Sequence, residues 1–330
     1  MLKVAEDREL RKLKGRHVAV YRQIDGYLVS PSFVDELVRD ALRYQPRPDD
    51  IFIVSYPKCG TTWMQHIVYN ILNSRPPPRG LLEQSTAMPF LEMQGSMSAR
   101  VMPRPGAIKT HMPFHLHPYS KQAKYIYITR NPYDCCVSFY YHTKGLPAYC
   151  FEDGTFDEFV DMFIEGNVAI GDYFEHVLSW YARRLDENVL FVTYEDLRKD
   201  TAAWIMRIAE FIGEKYAWEL KQNPSALTRV VNNTSLKAMQ ESVNEVIQKG
   251  SEQMKSMSED KKPWWMKRVL ETAGEKMAKK PATAEFIRKG IVGDWRNHFR
   301  PDQVIRMKKT MAVKTAGSDV MSLWDGIGLP

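Results

Sequence analysis

Four short apolar runs, Ile51–Ser55, Ala107–Thr110, Tyr125–Thr129 and Val189–Thr193, alternate with helical periodicities such as Trp63–Leu72 and Phe156–Ile164. Strands separated by helical segments read as crossover units, so the pattern predicts an α/β fold with a central parallel sheet flanked by helices. Each run ends in polar residues: Lys58 after the first, Lys109 and His111 at the second, Arg130 after the third, Tyr194 and Glu195 after the fourth. Open α/β sheets bind ligands at the carboxyl ends of their strands, so a single rim is expected to carry the chemistry. With 330 residues and 44% hydrophobic content the chain can bury a large core, and no Pro/Gly/Ser linker divides it. It reads as one domain over residues 1–330, with a Lys-rich helical insertion at about 244–280 that contains Pro263-Trp264-Trp265-Met266. That insertion is expected outside the sheet, as a cover or a solvated surface.

The segment Tyr56-Pro57-Lys58-Cys59-Gly60-Thr61-Thr62-Trp63 joins the first strand to a helix. Gly60 permits a tight turn, the N–H groups of the new helix converge on one spot, and Lys58 adds a full positive charge. The turn is expected to hold a phosphate. An ordinary P-loop places its lysine after the last glycine, and here the order is reversed, which makes an ATPase loop a poor match. Thr61 is also a natural helix cap, compatible with a ligand role. Cys59 reads as a small filler, although a nearby lysine and helix start favour a thiolate.

Charge and targeting signals narrow the classes further. A net charge of +6 with pI ≈ 8.9 suits an anionic small ligand at least as well as nucleic acid. Met1 to Asp7 lack the apolar core of a signal peptide and no run approaches the roughly 20 residues of a membrane span, so a cytoplasmic protein without membrane contact is expected. Cys59, Cys135, Cys136 and Cys150 have no metal or secreted-framework spacing and are expected as free thiols. No carboxylate pair has metal spacing, and Lys58, Lys109, Arg130, Arg288 and Lys289 offer a positive field without one.

Three further motifs follow the phosphate turn. Lys109-Thr110-His111 ends a strand and pairs a cation with an imidazole able to accept a proton near neutral pH, whereas His115 and His117 flank a proline-bounded turn. In Arg130-Asn131-Pro132-Tyr133-Asp134 to Ser138, Pro132 and Asp134 suit a helix start and Arg130 has the planar fork that suits phosphate. Arg288-Lys289-Gly290, followed by Gly293-Asp294-Trp295, places two cations before a glycine that allows close backbone approach.

In this order, from the strand before Lys58 to about Phe299, the motifs resemble those of the cytosolic sulfotransferases. These enzymes move a sulfuryl group from 3′-phosphoadenosine 5′-phosphosulfate to a hydroxyl or amine and release adenosine 3′,5′-bisphosphate. The resemblance implies that Lys58, Cys59, Gly60, Thr61, Thr62 and Trp63 surround the 5′-phosphosulfate. It makes His111 the general base and Lys109 a support for the sulfuryl oxygens, and assigns the 3′-phosphate to Arg130, Ser138, Arg288, Lys289 and Gly290. Ser138 is further implied to restrain Lys58. Tyr194, Thr234, Met239, Phe286 and Ile287 are implied to line the adenine pocket with Trp63, and Leu236 stands where the family usually has an aromatic residue. The family's dimer contact is altered here at Arg300-Pro301, so a monomer or another interface is expected. The stretch from Met239 to Arg288 is longer than the family's usual one.

For the acceptor, Tyr21, Phe90, Lys109, His111, Tyr141 and His142, with Tyr27, Phe139 and Tyr140, suggest an aromatic-lined pocket for a small phenol. A hydroxysteroid or aliphatic alcohol is the alternative. The competing classes are a kinase, which would need ATP and Mg²⁺, and a nucleic-acid-binding module, which would bind oligonucleotides with a steep salt dependence.

Overall fold

A computed structural model describes residues 15–279 and 285–330, so Lys280 of the Lys-rich segment lies outside the described residues. A small antiparallel hairpin, β1 (Arg22–Ile24) and β2 (Tyr27–Val29), turns at Asp25-Gly26 with both residues at positive φ. The main sheet contains β3 (Ile51–Val54), β4 (Ala107–Thr110), β5 (Lys124–Thr129) and β6 (Val189–Thr193) in the order β4-β3-β5-β6. All its pairings are parallel, with Ile51 opposite both Ala107 and Lys124 and Tyr125 opposite Val189. The expected α/β architecture is therefore present, and its four carboxyl ends share one rim.

The helices, in chain order, are α1 (Asp35–Leu42), α2 (Thr61–Leu72), α3 (Gly80–Ala87), α4 (Leu91–Val101), α5 (Pro132–Gly145), α6 (Phe156–Glu165) and α7 (Tyr173–Tyr181). They continue with α8 (Tyr194–Lys199), α9 (Thr201–Ile212), α10 (Glu214–Gln222), α11 (Pro224–Asn233), α12 (Leu236–Ser256), α13 (Trp264–Lys279) and α14 (Pro301–Lys314). None of the described helices is long and apolar enough to cross a membrane.

Side chains alternate across a strand, so the sheet supplies two cores. Phe52, Val54, Tyr125 and Tyr127 enter one cluster, while Ile51, Ile53, Ile126 and Ile128 enter the other. A third cluster sets Val34 and Leu37 against Met254, Trp265, Met266 and Val269. Burial of Trp265 and Met266 there stabilises the packing by about 1.5–3 kcal/mol per side chain. The Lys-rich segment is thus docked through an apolar face, and its first helix begins at Leu236 rather than near Asn244.

Several strand-end residues serve the scaffold. Asn131 caps α5 by accepting from the Asp134 N–H at 2.9 Å, with Pro132 in the first turn. Asp134 also accepts from the N–H groups of Gly293 (2.7 Å) and Trp295 (2.9 Å), which ties the 288–297 segment to α5. Glu195 accepts from Asn131 Nδ2 at 2.7 Å and from Trp324 Nε1 at 2.9 Å, so it anchors the chain's last turns instead of facing the cavity.

Candidate active site

The phosphate turn takes the backbone shape its sequence demands. Lys58 and Gly60 have φ of 69° and 106°, and Gly60 lies so close to Tyr194 that a Cβ would sit 2.9 Å from its ring. Only glycine fits there. The first bond within α2 runs from the Met64 N–H to Gly60 O, leaving the Thr61, Thr62 and Trp63 N–H groups without intrahelical partners. Thr61 Oγ1 shares a short hydrogen bond with Ser55 Oγ, which orients the first turn.

A cavity of ≈ 490 Å³ opens over this turn and the strand ends. Its lining brings together Lys58, Gly60, Thr61, Thr62 and Trp63 with Arg130, Ser138 and Tyr194. On the same side are Thr234, Leu236, Met239, Phe286, Ile287, Arg288, Lys289 and Gly290, and beyond them Phe90, Lys109, His111 and His142. Cys59, Tyr21 and Tyr141 are outside the lining. Cys59 is buried with its Sγ 3.7 Å from Cys135 Sγ, and Tyr21 is packed edge-on against Tyr149. Tyr141 sits 4.6 Å beneath the Arg288 guanidinium. These three therefore pack around the site rather than face into it.

The cations are held in distinct ways. Lys58 Nζ donates to Phe286 O at 3.2 Å and lies 3.7 Å over the Phe286 ring, whereas Ser138 makes no hydrogen bond to it. Phe286 thus holds Lys58 through both its carbonyl and its ring. Burial, reinforced by Lys109 and Arg130, lowers the Lys58 pKa to about 7. Burial also lowers Lys109 to about 8, opposed by Glu92, with Nζ 4.4 Å over the Phe90 ring. Arg130 donates to Ile291 O at 2.9 Å and stacks 4.5 Å over Tyr194, and its buried Nε has no partner. Arg288 and Lys289 share the Asp294 carboxylate at 2.6 and 2.9 Å, which holds that carboxyl well below its usual range. An incoming phosphate would compete with Asp294 for both cations.

His111 is 8% exposed, and its Nδ1 contacts Ser55 O at 2.7 Å. A carbonyl oxygen only accepts, so Nδ1 carries the proton and Nε2 keeps its lone pair. Burial first, then Lys109, pushes the His111 pKa well below its ordinary value. The backbone beneath is fixed by Glu92 Oε1, which accepts from the His111 N–H (2.6 Å), Thr110 Oγ1 (3.1 Å) and Tyr27 Oη (3.2 Å). His117, by contrast, is buried among Phe52, Tyr125 and Trp180.

Several lining residues carried no sequence motif. Phe33 and Ala169–Ile170 reach the cavity from loops, Leu146–Tyr149 from a single 3-10 turn (Pro147–Tyr149), and Met254, Trp265 and Val269 wall it from α12 and α13. Arg198 adds a further cation beside Tyr194, and its position five residues after the fourth strand run was the available signal. Among the described residues no His/Cys/Asp/Glu group is arranged to hold a metal ion.

A parallel sheet whose carboxyl rim gathers lysines, arginines, helix-start N–H groups and a neutral strand-end histidine around a cavity defines a phosphate-handling transferase. A family profile described as the sulfotransferase domain matches residues 48–319. Sulfotransferase 1C2 of Oryctolagus cuniculus is 30% identical over 311 residues, 91% of this chain and 94% of that protein. Sulfotransferase 1E1 of Homo sapiens is 32% identical over 294 residues, covering 84% and 87%. The crystal structure of mouse sulfotransferase SULT7A1 complexed with PAP superposes with a TM-score of 0.66 at 25% identity, covering 92% of this chain and 96% of that one. The chain belongs to the sulfotransferase family. It is a transferase whose donor is 3′-phosphoadenosine 5′-phosphosulfate.

Proposed function

We propose that this protein transfers the sulfuryl group to the hydroxyl of a small phenolic acceptor, with His111 as general base. The observation that carries this reading is the Nδ1 contact of His111 with Ser55 O, which leaves Nε2 as a buried, neutral proton acceptor at the cavity wall. The donor supplies an electrophilic sulfur and a good leaving group. The unpartnered Nε of Arg130 and the exchangeable pairs on Asp294 fit the 3′-phosphate, with Ser138 and Gly290 alongside. Trp63, Tyr194, Thr234, Leu236, Met239, Phe286 and Ile287 form the adenine side. Lys58 and the Thr61–Trp63 N–H groups meet the phosphosulfate, and Lys58 stabilises charge on the departing oxygen while Lys109 faces the sulfuryl oxygens. His111 Nε2 takes the hydroxyl proton as the oxygen attacks sulfur in line.

Phe33, Phe90, Phe139 and Tyr149 around the histidine support a flat aromatic acceptor. The apolar end walled by Met254, Trp265 and Val269 supports a second reading, a larger hydroxysteroid or alcohol. The proposed protein acts in the cytoplasm and without the family's usual dimer contact. Pro301 opens α14, and Arg300 is bonded within its own chain to Asp157 and Asp302. The test is His111→Ala: turnover of labelled sulfate onto phenols falls by about 10²–10⁴-fold while affinity for adenosine 3′,5′-bisphosphate, measured by calorimetry, is kept. Strong remaining turnover would reject the base assignment.

A further inference from the structure

Helix α5 presents one stripe to the cavity. Ser138 and His142 are four residues apart and both line it, so they stand one turn apart on the same face. Ser138 belongs to the nucleotide side, and His142 lies further along, toward the acceptor. The His142 ring is packed among the rings of Phe286 (5.6 Å), Phe139 (6.0 Å) and Tyr149 (6.0 Å). No hydrogen bond joins either of its nitrogens to a described residue, and Nδ1 is buried without a partner. The ring as a whole is half-buried, but a buried ring nitrogen left without a partner is costly, and a ligand that bonds to it removes the cost. Four other histidines are buried; His66, on α2, also lines the cavity with its Nε2 unpartnered, but only burial acts on it, whereas His142 stands within the field of Lys58, Lys109 and His111. The remaining three are used differently. His111 is bonded to Ser55 O, and His176 bridges Tyr127 Oη (2.9 Å) and His111 O (3.0 Å). His117 also has both ring nitrogens unpartnered, but it packs within an aromatic cluster and is absent from the lining, so no cavity ligand reaches it.

We infer that His142 determines specificity by hydrogen-bonding a second, neutral polar group on the acceptor. This rests on the reading of the site as a sulfuryl-transfer site, with the reacting hydroxyl at His111 on the β4 side. His142 then sits on the α5 side, across the same aromatic-lined space. Burial first, then Lys58 and Lys109, keeps the imidazole uncharged, so it offers one donor and one acceptor. The same two lysines disfavour a cationic group nearby, which selects a hydroxyl over an ammonium. The acceptor class is an aromatic compound with two hydroxyl groups, such as a catechol or a phenol with a hydroxylated tail. A site built to bond a substrate hydroxyl discriminates strongly against the analogue that lacks it.

The experiment measures kcat/KM for 4-ethylphenol, 4-ethylcatechol and 4-(2-hydroxyethyl)phenol in wild type, His142→Phe and His142→Gln. Wild type is expected to prefer at least one dihydroxy compound over 4-ethylphenol by about tenfold or more. His142→Phe is expected to cut that ratio by about tenfold, and His142→Gln to restore part of it. The ratio is the readout because general damage to the fold lowers all three values together. Absence of preference in wild type, or equal losses for all three acceptors in His142→Phe, would overturn the inference while leaving sulfuryl transfer intact. If wild type neither binds adenosine 3′,5′-bisphosphate nor transfers sulfate to any phenol, the underlying reading fails and this inference with it.

Discussion

Nucleotide binding should draw protons from solution, because the site holds its lysines partly discharged. Burial, with repulsion from Lys109 and Arg130, places Lys58 at about 7, and burial opposed by Glu92 places Lys109 at about 8. At about pH 8, roughly a tenth of Lys58 and half of Lys109 carry a proton. Both have folded pKa values below the usual lysine range, and adjacent phosphates favour the charged form, so binding raises both. Uptake then approaches about 0.9 proton at Lys58 and about 0.5 at Lys109. The ligand's own phosphates are fully ionised at that pH and contribute little. The assay is titration calorimetry with adenosine 3′,5′-bisphosphate in buffers of different ionisation enthalpy, where the slope of heat against that enthalpy counts protons. Lys58→Met should reduce the uptake by about 0.9, and wild-type affinity should decline as pH rises from about 7 to 9. Near-zero uptake in wild type, or an unchanged slope in Lys58→Met, would refute the account of this cationic field.

Arg130→Ala should weaken binding of adenosine 3′,5′-bisphosphate by about 10–100-fold and leave adenosine 5′-monophosphate little affected; calorimetry showing equal losses would make Arg130 a structural residue. Burial raises the Glu92 carboxyl from its ordinary 4.5 to about 7, so its favourable contribution is present below about 4.5 and is lost as pH rises through 7. Glu92→Gln removes that titration, and urea unfolding should show the variant gaining on wild type by on the order of 3 kcal/mol between about pH 4.5 and 8. Parallel pH dependences would contradict it. Cys59, Cys135 and Cys136 are buried and Cys150 is exposed, so iodoacetamide should label Cys150 alone in the native state; mass spectrometry finding Cys59 modified would show the phosphate turn opening.

The sheet was readable because its strands are short, apolar and each followed by a polar group. The structure moves the ends by a single residue, to Val54 for β3 and Lys124 for β5. The rim was readable for the same reason, since Lys58, Lys109, His111 and Arg130 follow directly from strand positions. Loops and short turns were less legible. Leu146–Tyr149 and Ala169–Ile170 reach the cavity through tertiary packing, for which local sequence has no period. Tyr141 illustrates a different loss: it neighbours His142 in sequence, but successive helical residues point about 100° apart, and only one of them faces the cavity. Cys59 shares the phosphate turn yet points into the core, because the left-handed backbone at Lys58 and Gly60 reorients the chain on either side of it.

Phe286 has a place in both halves of the site. Its carbonyl and ring hold Lys58 on one side, its ring meets His142 on the other, and the adjacent Ile287 is clipped to α12 through paired hydrogen bonds with Asn244 at 2.8 and 3.1 Å. Under the proposed assignment of the site, one aromatic ring is thus a party wall between donor and acceptor chambers. Under that assignment evolution cannot widen the second chamber at this position without loosening the first, so diversification of acceptor range is channelled toward the wall of Met254, Trp265 and Val269, which packs against Val34 and Leu37.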